Sequence, residues 1–145
     1  MTTTTTFKDS EQLYQCIGGL FDILKKHPEI GPKIKKSELI IRFKYTEPEG
    51  QIWIDCLNDP KEEGTYLQWY KTMDKEPIVD MSMKADIGHQ FWLGNVNLLT
   101  ALARKQIIAK GPIPKIIKLL PIIKPAYAIY PEHLKKIGYA NLIKK

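Results

Sequence analysis

The chain contains few of the residues that metal binding and covalent catalysis require. Its 145 residues include only two cysteines and three histidines. Cys16 and Cys56 lack metal-ligand spacing, and no two histidines lie within one helical turn of each other. We therefore expect two buried thiols, with a disulfide as the alternative, and we predict no zinc site and no cofactor.

Sequence motifs of enzymes are also missing. The chain has no Gly-x-Ser-x-Gly nucleophile motif, no phosphate-binding glycine loop and no His-x-x-x-His pair. Asp80 and Ser82 share a predicted strand face with Lys84, which is typical of a solvated, salt-linked surface. His89 is expected to be a helix-surface or partly buried side chain rather than a general base. Because no residue is placed to carry catalysis, we predict that the protein is not an enzyme.

Targeting and membrane-insertion signals are scarce as well. The first six residues are Met followed by five threonines, without the basic and then apolar order of a signal peptide. The longest apolar run is far below the ~20 residues of a membrane-spanning helix. The last three residues, Ile-Lys-Lys, do not match the peroxisomal signal. We predict a cytoplasmic protein in which residues 1–8 are a disordered tail and residues 9–145 are one domain.

Positive charge is concentrated in the last third of the chain. From Arg104 onward there are ten Lys and Arg residues and one acidic residue, whereas the first 103 residues contain 12 basic and 15 acidic side chains. This distribution suggests that an anionic surface is the partner of the basic region. We predict no nucleic-acid partner, because the lysines alternate with Ile and Leu of the buried type rather than with exposed aromatic residues.

Hydrophobic periodicity predicts the order α-β-β-β-β-α-α-β-α-α. A helix is expected from Asp9 or Ser10 to Lys26, and its Gly18-Gly19 pair suggests close approach of another backbone. Residues 29–36 are predicted to be a connector. Alternating apolar residues predict strands at 39–45, 51–56, 65–70, 78–84 and 106–110. Hairpins early in the chain and a helical crossover late in it indicate an α+β fold, with helices on one face of a mixed sheet.

The stretch from residue 78 to residue 111 is predicted to form a strand, two apolar helices and a strand. Asp86 is the expected N-cap of the first helix, and Gly94 follows its end. The second helix is expected to begin at Asn95. After Gly111, a helix carrying Ile and Leu on one side and lysines on the other is predicted to begin near Pro112.

This stretch also carries a resemblance to a known family. The residues concerned are Asp80-x-Met-Ser-Met, Gly94, Ala101, Arg104-Lys105 and Ile107-Ile108-Ala109-Lys110-Gly111. In this order they resemble the sterol carrier protein 2 family, best between residues 78 and 120. Asn95 and Pro112 depart from it, because many members have Lys and an acidic residue there. The resemblance implies a stand-alone, single-domain member with a five-stranded sheet of order 3-2-1-4-5 and an apolar tunnel under the helices.

A surplus of apolar side chains is the strongest functional signal, although ordinary core packing is the alternative for each one taken alone. The predicted cavity residues are Met81, Met83, Phe91, Trp92, Leu98, Leu99, Leu102, Ile108, Ile116, Leu119, Leu120 and Ile123. The two methionines suit this role because thioether side chains adapt to varied ligand shapes. Lys115, Lys118 and Lys124 are predicted to dock transiently on an anionic membrane.

The predicted function is non-catalytic lipid binding and transfer. The ligand would be a fatty acyl chain, an acyl-CoA or a sterol-like lipid held in the apolar cavity. The alternative is an accessory or substrate-presenting subunit of a lipid-metabolising enzyme, because sterol-carrier-like domains also occur as parts of enzymes. Under this alternative the chain would have an enzyme as a stable partner.

Overall fold

A computed structural model describes residues 6–144 of the chain. One five-stranded sheet lies at its centre. The strands are β1 (Ile40–Thr46), β2 (Gly50–Asp55), β3 (Gln68–Tyr70), β4 (Val79–Lys84) and β5 (Ile107–Lys110). Their order is β3-β2-β1-β4-β5, with β1 and β4 parallel and all other neighbours antiparallel. The predicted mixed sheet and its order of strands are confirmed.

Helices occupy the two ends of the chain and the connection between β4 and β5. They are α1 (Ser10–Leu13), α2 (Gly19–Leu24), α3 (Ile30–Lys35), α4 (Ala85–Trp92), α5 (Leu98–Ala103), α6 (Ile113–Ile123) and α7 (Ala126–Lys136). A π-helical segment (Tyr14–Gly18) joins α1 to α2, and a 3-10 helix (Ala140–Lys144) follows α7. The Asp9 carboxylate caps α1 by accepting a hydrogen bond from the Gln12 backbone N–H.

The register of the sheet determines which side chains face the helices. In the parallel pair, Ile41 lies beside Val79, Phe43 beside Met81, and Tyr45 beside Met83. Because alternate residues of a strand point to opposite faces, these six side chains share the face on which the helices pack.

The opposite face of the sheet carries polar residues. Arg42 and Asp80 form an ion pair there, and the Arg42 guanidinium lies 5.3 Å from the centre of the Trp53 ring. The hydrogen bonds from Arg42 lower the pKa of the Asp80 carboxyl below its usual value. Asp80 therefore pairs with Arg42 of the neighbouring strand rather than with Lys84 of its own strand, and Lys84 forms a separate ion pair with Glu47 at 3.6 Å.

Gly18, at the end of the π-helical segment, and Gly19, at the start of α2, make room for two rings. A Cβ atom on Gly18 would lie 2.7 Å from the Trp69 ring, and one on Gly19 would lie 2.4 Å from the His133 ring. His133 is held there because its Nε2 lies 3.0 Å from the backbone oxygen of Gln15. The expected backbone approach is therefore wrong: the close neighbours are side chains.

The N-terminal prediction needs correction where the structure describes it. Phe7 is fully buried, and its ring meets His89 edge-to-face at 5.3 Å. The Thr6 backbone N–H donates to the Asp86 carboxylate at 2.8 Å. Residues 6–8 are thus attached to the fold, whereas residues 1–5 of the predicted tail lie outside the described residues. Asp86 is not the N-cap of α4, because the helix begins at Ala85 and Asp86 lies within its first turn; no side chain caps this helix.

Three predicted boundaries also differ. Residues 29–36 contain α3, which begins where the His27 Nδ1 atom accepts the backbone N–H groups of Glu29 and Ile30. Pro32 is tolerated there because a first-turn residue needs no N–H donor. The helix predicted from Asn95 is α5, which begins at Leu98 because the Asn97 side chain caps it. Strand β3 has three residues rather than six.

Candidate functional site

A small apolar cavity of about 60 Å³ lies between the sheet and the helices that cover it. The sheet contributes Ile41, Phe43, Tyr45, Ile54, Met81, Met83 and Ile107. The helices contribute Phe21, Ile34, Gly88, Phe91, Trp92, Leu98, Ile116, Leu119, Leu120 and Ile123. None of the lining residues within the described range 6–144 has a charged side chain. Among the described lining residues, Tyr45 and Trp92 are the two whose side chains have an O–H or N–H group.

Nine of the twelve residues predicted from the sequence line this cavity. They are Met81, Met83, Phe91, Trp92, Leu98, Ile116, Leu119, Leu120 and Ile123. The methionines enter from β4, Phe91 and Trp92 from the end of α4, and the last four from the buried side of α6. A role for these residues in binding a lipid stays a prediction.

The other three predicted residues lie elsewhere. Leu99 is 57% exposed and Ile108 is 53% exposed, and Leu102 is half-buried against the core without reaching the cavity. On a helix, the residue after an inward one is rotated by about a quarter turn, so Leu98 faces inward and Leu99 outward. On a strand, direct neighbours point to opposite faces, so Ile107 lines the cavity and Ile108 faces the other way.

Eight lining residues were not predicted. They are Phe21, Ile34, Ile41, Phe43, Tyr45, Ile54, Gly88 and Ile107. The alternation of β1 already shows that Ile41, Phe43 and Tyr45 share one face. The implied order of strands places β1 beside β4, but the parallel register that brings this face against the two methionines was not predicted. Phe21 and Ile34 come from helices in a part of the chain that the sequence does not connect to the cavity.

Tyr45 has an unusual environment for a tyrosine. Its side chain is 2% exposed, and its hydroxyl has no hydrogen-bond partner within residues 6–144. Burial raises the pKa of this phenol. The ring fits closely against α4, because a Cβ atom on Gly88 would lie 2.6 Å from its Cε1 atom. Gly88 therefore makes room for the Tyr45 ring.

His89 belongs to a buried network that joins three segments. Its Nε2 lies 2.7 Å from the Leu142 backbone oxygen, and its Nδ1 lies 2.7 Å from the Tyr130 hydroxyl. A carbonyl only accepts, so Nε2 carries the proton and Nδ1 accepts from Tyr130. Burial lowers the pKa of His89, which favours this neutral form. Both ring nitrogens are thus occupied in linking α4 to α7 and to the C-terminal 3-10 helix.

Metal binding, thiol chemistry and membrane insertion can be considered for the same part of the chain. No group of three or more His, Cys, Asp and Glu side chains in residues 6–144 is arranged to hold a metal ion. Cys16 and Cys56 are free and buried, and burial raises the pKa of each thiol to about 12. None of the helices in this part of the chain is long and apolar enough to cross a membrane.

Solved structures share this fold. The sterol carrier protein domain 2 of Helicoverpa armigera superposes with a TM-score of 0.59 at 20% identity, covering 79% of this chain and 89% of that chain. Sterol Carrier Protein 2 from Yarrowia lipolytica in its apo form has a TM-score of 0.54 at 18% identity, with 91% and 94% covered. The chain has the sterol carrier protein 2 fold.

A third structure extends the comparison to another kind of protein. The UbiJ-SCP2 ubiquinone synthesis protein superposes with a TM-score of 0.55 at 9% identity, covering 75% of this chain and 85% of that chain. No protein-family model matches the sequence, and no curated protein matches it. The likeness to sterol carrier protein 2 therefore rests on the fold.

In this sterol carrier protein 2 fold, α6 and Lys124 directly after it form the cavity roof, whose outer side carries exposed lysines. Lys115 and Lys118 are exposed on α6, and Lys124 is exposed directly after it. None of the three forms an ion pair with another residue in the described range 6–144. Ile117 on α6 is 37% exposed between two of them. The roof thus combines free positive charge with exposed apolar surface.

Proposed function

We propose that this protein is a non-catalytic lipid-binding and transfer protein, and that its cavity holds a fatty acyl, acyl-CoA or sterol-like ligand. The observation that carries the proposal is the cavity itself, whose lining from sheet and helices is apolar apart from two hydrogen-bonding groups. Two proteins with this fold are named as sterol carriers. An apolar cavity with few polar groups is the usual form of a site for a hydrophobic small molecule.

Binding requires the cavity to open. A dry cavity of ~150 Å³ is large enough for benzene, whereas this one measures about 60 Å³. The segment best suited to move is α6, because Pro121 inside it provides no N–H for the carbonyl of Ile117. The helix is also flanked by Gly111 and Pro125. Outward movement of α6 would remove Ile116, Leu119 and Ile123 from the roof and extend the space beneath it.

The energy available from hydrocarbon burial is sufficient to load the cavity. A sixteen-carbon chain gains up to ~12 kcal/mol at about 0.8 kcal/mol per methylene. Association and ordering cost about 4–15 kcal/mol, which leaves micromolar or weaker affinity and allows release of the ligand. Because no cationic side chain lines the cavity, a carboxylate or a coenzyme A group would stay at the mouth in contact with water.

Trp92 offers a direct test of lipid binding, because it lines the cavity and is 3% exposed. Titration of the delipidated protein with a fatty acid is expected to give a saturable change in tryptophan emission. Trp92→Phe is expected to remove most of this change. Trp53→Phe is the matched control and is expected to keep it, because Trp53 lies on the opposite face of the sheet beside Arg42.

Lipid that co-purifies with the protein provides an independent measurement. Native mass spectrometry of the protein as purified is expected to show a mass addition that disappears on delipidation. The proposed function is contradicted if the folded, delipidated protein shows no saturable response to fatty acids and no bound lipid under native conditions.

The basic roof of the cavity is proposed to dock on an anionic membrane, where α6 could open. Each lysine near such a surface contributes about 1 kcal/mol. The triple variant Lys115→Gln, Lys118→Gln and Lys124→Gln is therefore expected to bind vesicles containing phosphatidylserine about 100-fold more weakly. The measurement is co-sedimentation at low salt.

A control for this prediction removes three positive charges elsewhere. Lys44, Lys61 and Lys75 are exposed residues outside the cavity roof, and replacing them with glutamine leaves the roof unchanged. Equal loss of vesicle binding in both triple variants would show that net charge alone, rather than the roof, determines membrane binding.

A role as an accessory subunit is the second candidate. The observation that favours it is the shared fold with a structure named as a ubiquinone synthesis protein. In this case an enzyme of lipid metabolism would co-purify at one-to-one stoichiometry, and its turnover of lipid substrate would rise when this chain is added. Weak binding of free lipid together with such stimulation would favour this role over transfer. A cytoplasmic location is proposed under both functions.

A further inference from the structure

The hydroxyl of Tyr45 is the feature of the cavity that apolar packing does not explain. Tyr45 lines the cavity, and its buried hydroxyl has no hydrogen-bond partner in the part of the chain from residue 6 to residue 144. The indole of Trp92 is close enough to favour the ionised form of the phenol, yet it makes no hydrogen bond of normal geometry with the hydroxyl. Buried side-chain hydroxyls without a partner are uncommon in folded proteins.

The Tyr45 ring is held in one position by its neighbours. Phe43 stacks beside it, with the ring centres 6.4 Å apart and the planes 10° from parallel. Gly88 of α4 provides the space for its edge, because a Cβ atom there would come within 2.6 Å. The hydroxyl is therefore fixed near Trp92 and cannot readily turn towards another partner. A phenylalanine would pack in the same place without leaving a polar atom unpaired.

A water molecule is a poor partner for this hydroxyl. A buried water usually makes about three hydrogen bonds, whereas among the described lining residues only Tyr45 and Trp92 have a side-chain O–H or N–H group. The oxygen of a lipid needs fewer partners, since the rest of that molecule is satisfied by the apolar lining. A carbonyl oxygen has two lone pairs and can accept from both groups.

We propose that Tyr45 donates a hydrogen bond to an uncharged oxygen of the bound lipid, so that the cavity selects neutral lipids that enter with a ketone, quinone, ester or hydroxyl group first. The inference rests on the proposed function and narrows its ligand class. A carboxylate does not fit this position, because its charge would be buried with no cationic side chain in the lining. Fatty acids would bind in the opposite direction, with the carboxylate at the mouth.

The test compares two lipids that differ by one oxygen. Octadecan-2-one and octadecane are offered together in neutral phosphatidylcholine vesicles, and protein-bound lipid is quantified by mass spectrometry. The ketone-to-alkane ratio is measured for wild type and for Tyr45→Phe. Dividing the wild-type ratio by the Tyr45→Phe ratio cancels any preference of the vesicles for one of the two lipids. Loss of one hydrogen bond is expected to lower the ratio about 5- to 10-fold.

Two controls make the result specific. Tyr127→Phe removes a phenol hydroxyl from α7, outside the cavity lining, and is expected to leave the ratio unchanged. Stearate replaces the ketone in a parallel experiment, and its ratio to octadecane is expected to be the same in wild type and Tyr45→Phe. Thermal unfolding of each variant checks that it is folded.

The possible outcomes separate this inference from the proposed function. If both lipids bind and Tyr45→Phe leaves the ketone-to-alkane ratio unchanged, the role of Tyr45 is refuted while lipid binding stands. If Tyr45→Phe lowers the stearate ratio as much as the ketone ratio, selection for an uncharged oxygen is refuted. If wild type binds none of the three lipids, the proposed function fails, and this inference fails with it.

Discussion

Gly111→Ala is expected to lower the free energy of unfolding by about 3–4 kcal/mol. Gly111 joins β5 to α6 with a φ of +113°, in a region that residues with a side chain rarely adopt. A Cβ atom there would lie 2.3 Å from the backbone oxygen of Ile78 and 3.2 Å from the Cα of Val79. Because the obstructing atoms are backbone atoms of the neighbouring strand, the clash cannot be relieved by a side-chain rotation.

Gly64→Ala is the matched control for Gly111→Ala. Gly64 also has a positive φ, +78°, but a Cβ atom there would have no neighbour within 4 Å. Its replacement therefore adds only backbone strain, at about 1–2 kcal/mol. Urea unfolding of both variants measures the difference. Equal costs at the two positions would show that close packing of Gly111 against β4 does not contribute.

His89→Leu is expected to lower the free energy of unfolding by about 2–5 kcal/mol. The change removes the imidazole and leaves two buried groups without their partner, the Tyr130 hydroxyl and the Leu142 carbonyl. Each unsatisfied buried group costs about 1–3 kcal/mol. The double variant His89→Leu and Tyr130→Phe removes one of these groups and is expected to be more stable than His89→Leu alone. Equal stability of wild type and His89→Leu would contradict the role of this network.

The same network makes stability depend on pH in a definite direction. Burial is the main cause that lowers the pKa of His89 in the folded state, while the hydrogen bond to Leu142 and the charge of Asp86 act in the opposite direction. The unfolded chain therefore binds a proton at this residue at higher pH than the folded chain does. The contribution of neutral His89 to the free energy of unfolding is complete above the pKa of the unfolded chain, about 6.5. It is lost as the pH falls below that value, and the free energy of unfolding then decreases by at most about 1.4 kcal/mol per pH unit.

The pH dependence is measured by urea unfolding between pH 7.5 and pH 5, as chosen test conditions. Wild type is expected to lose stability faster than His89→Leu as the pH falls. The variant is the appropriate reference because it retains the other two histidines. Parallel curves for the two proteins would show that His89 takes up its proton equally in the folded and unfolded states.

Strand β1 shows how much of the site could be predicted. Its alternation places Ile41, Phe43 and Tyr45 on one face, and that assignment agrees with the structure. Their position at the cavity depends on the parallel pairing with β4, whose residues follow about 38 positions later. The implied order of strands places β1 next to β4, but no local pattern contains their parallel register. The predicted cavity residues therefore came from β4, from Ile108 of β5 and from the later helices alone.

Helix α3 and Phe7 were missed for a related reason. Gly31 and Pro32 indicate a turn when only neighbouring residues are considered, yet Ile30 and Ile34 are buried and Ile34 reaches the cavity. Phe7 follows a run of threonines that favours an unstructured tail, but its ring is buried beside His89. In both segments, burial of apolar side chains against residues far away in the sequence outweighs the weak local preference for a turn or an unstructured tail.

The sequence alone determined the inward faces of β1, β4 and α6, because the periods of 2 and 3.6 residues are properties of a single segment. On β5 and α5 it assigned Ile108 and Leu99 to the cavity, although both face outward. It also determined the concentration of positive charge after residue 104. Only the tertiary structure decided which inward side chains border the cavity, how small that cavity is, and that the buried hydroxyl of the lining residue Tyr45 has no partner in residues 6–144. Those properties depend on how segments far apart in the chain pack against one another, and the pattern of a single segment contains no information about that packing.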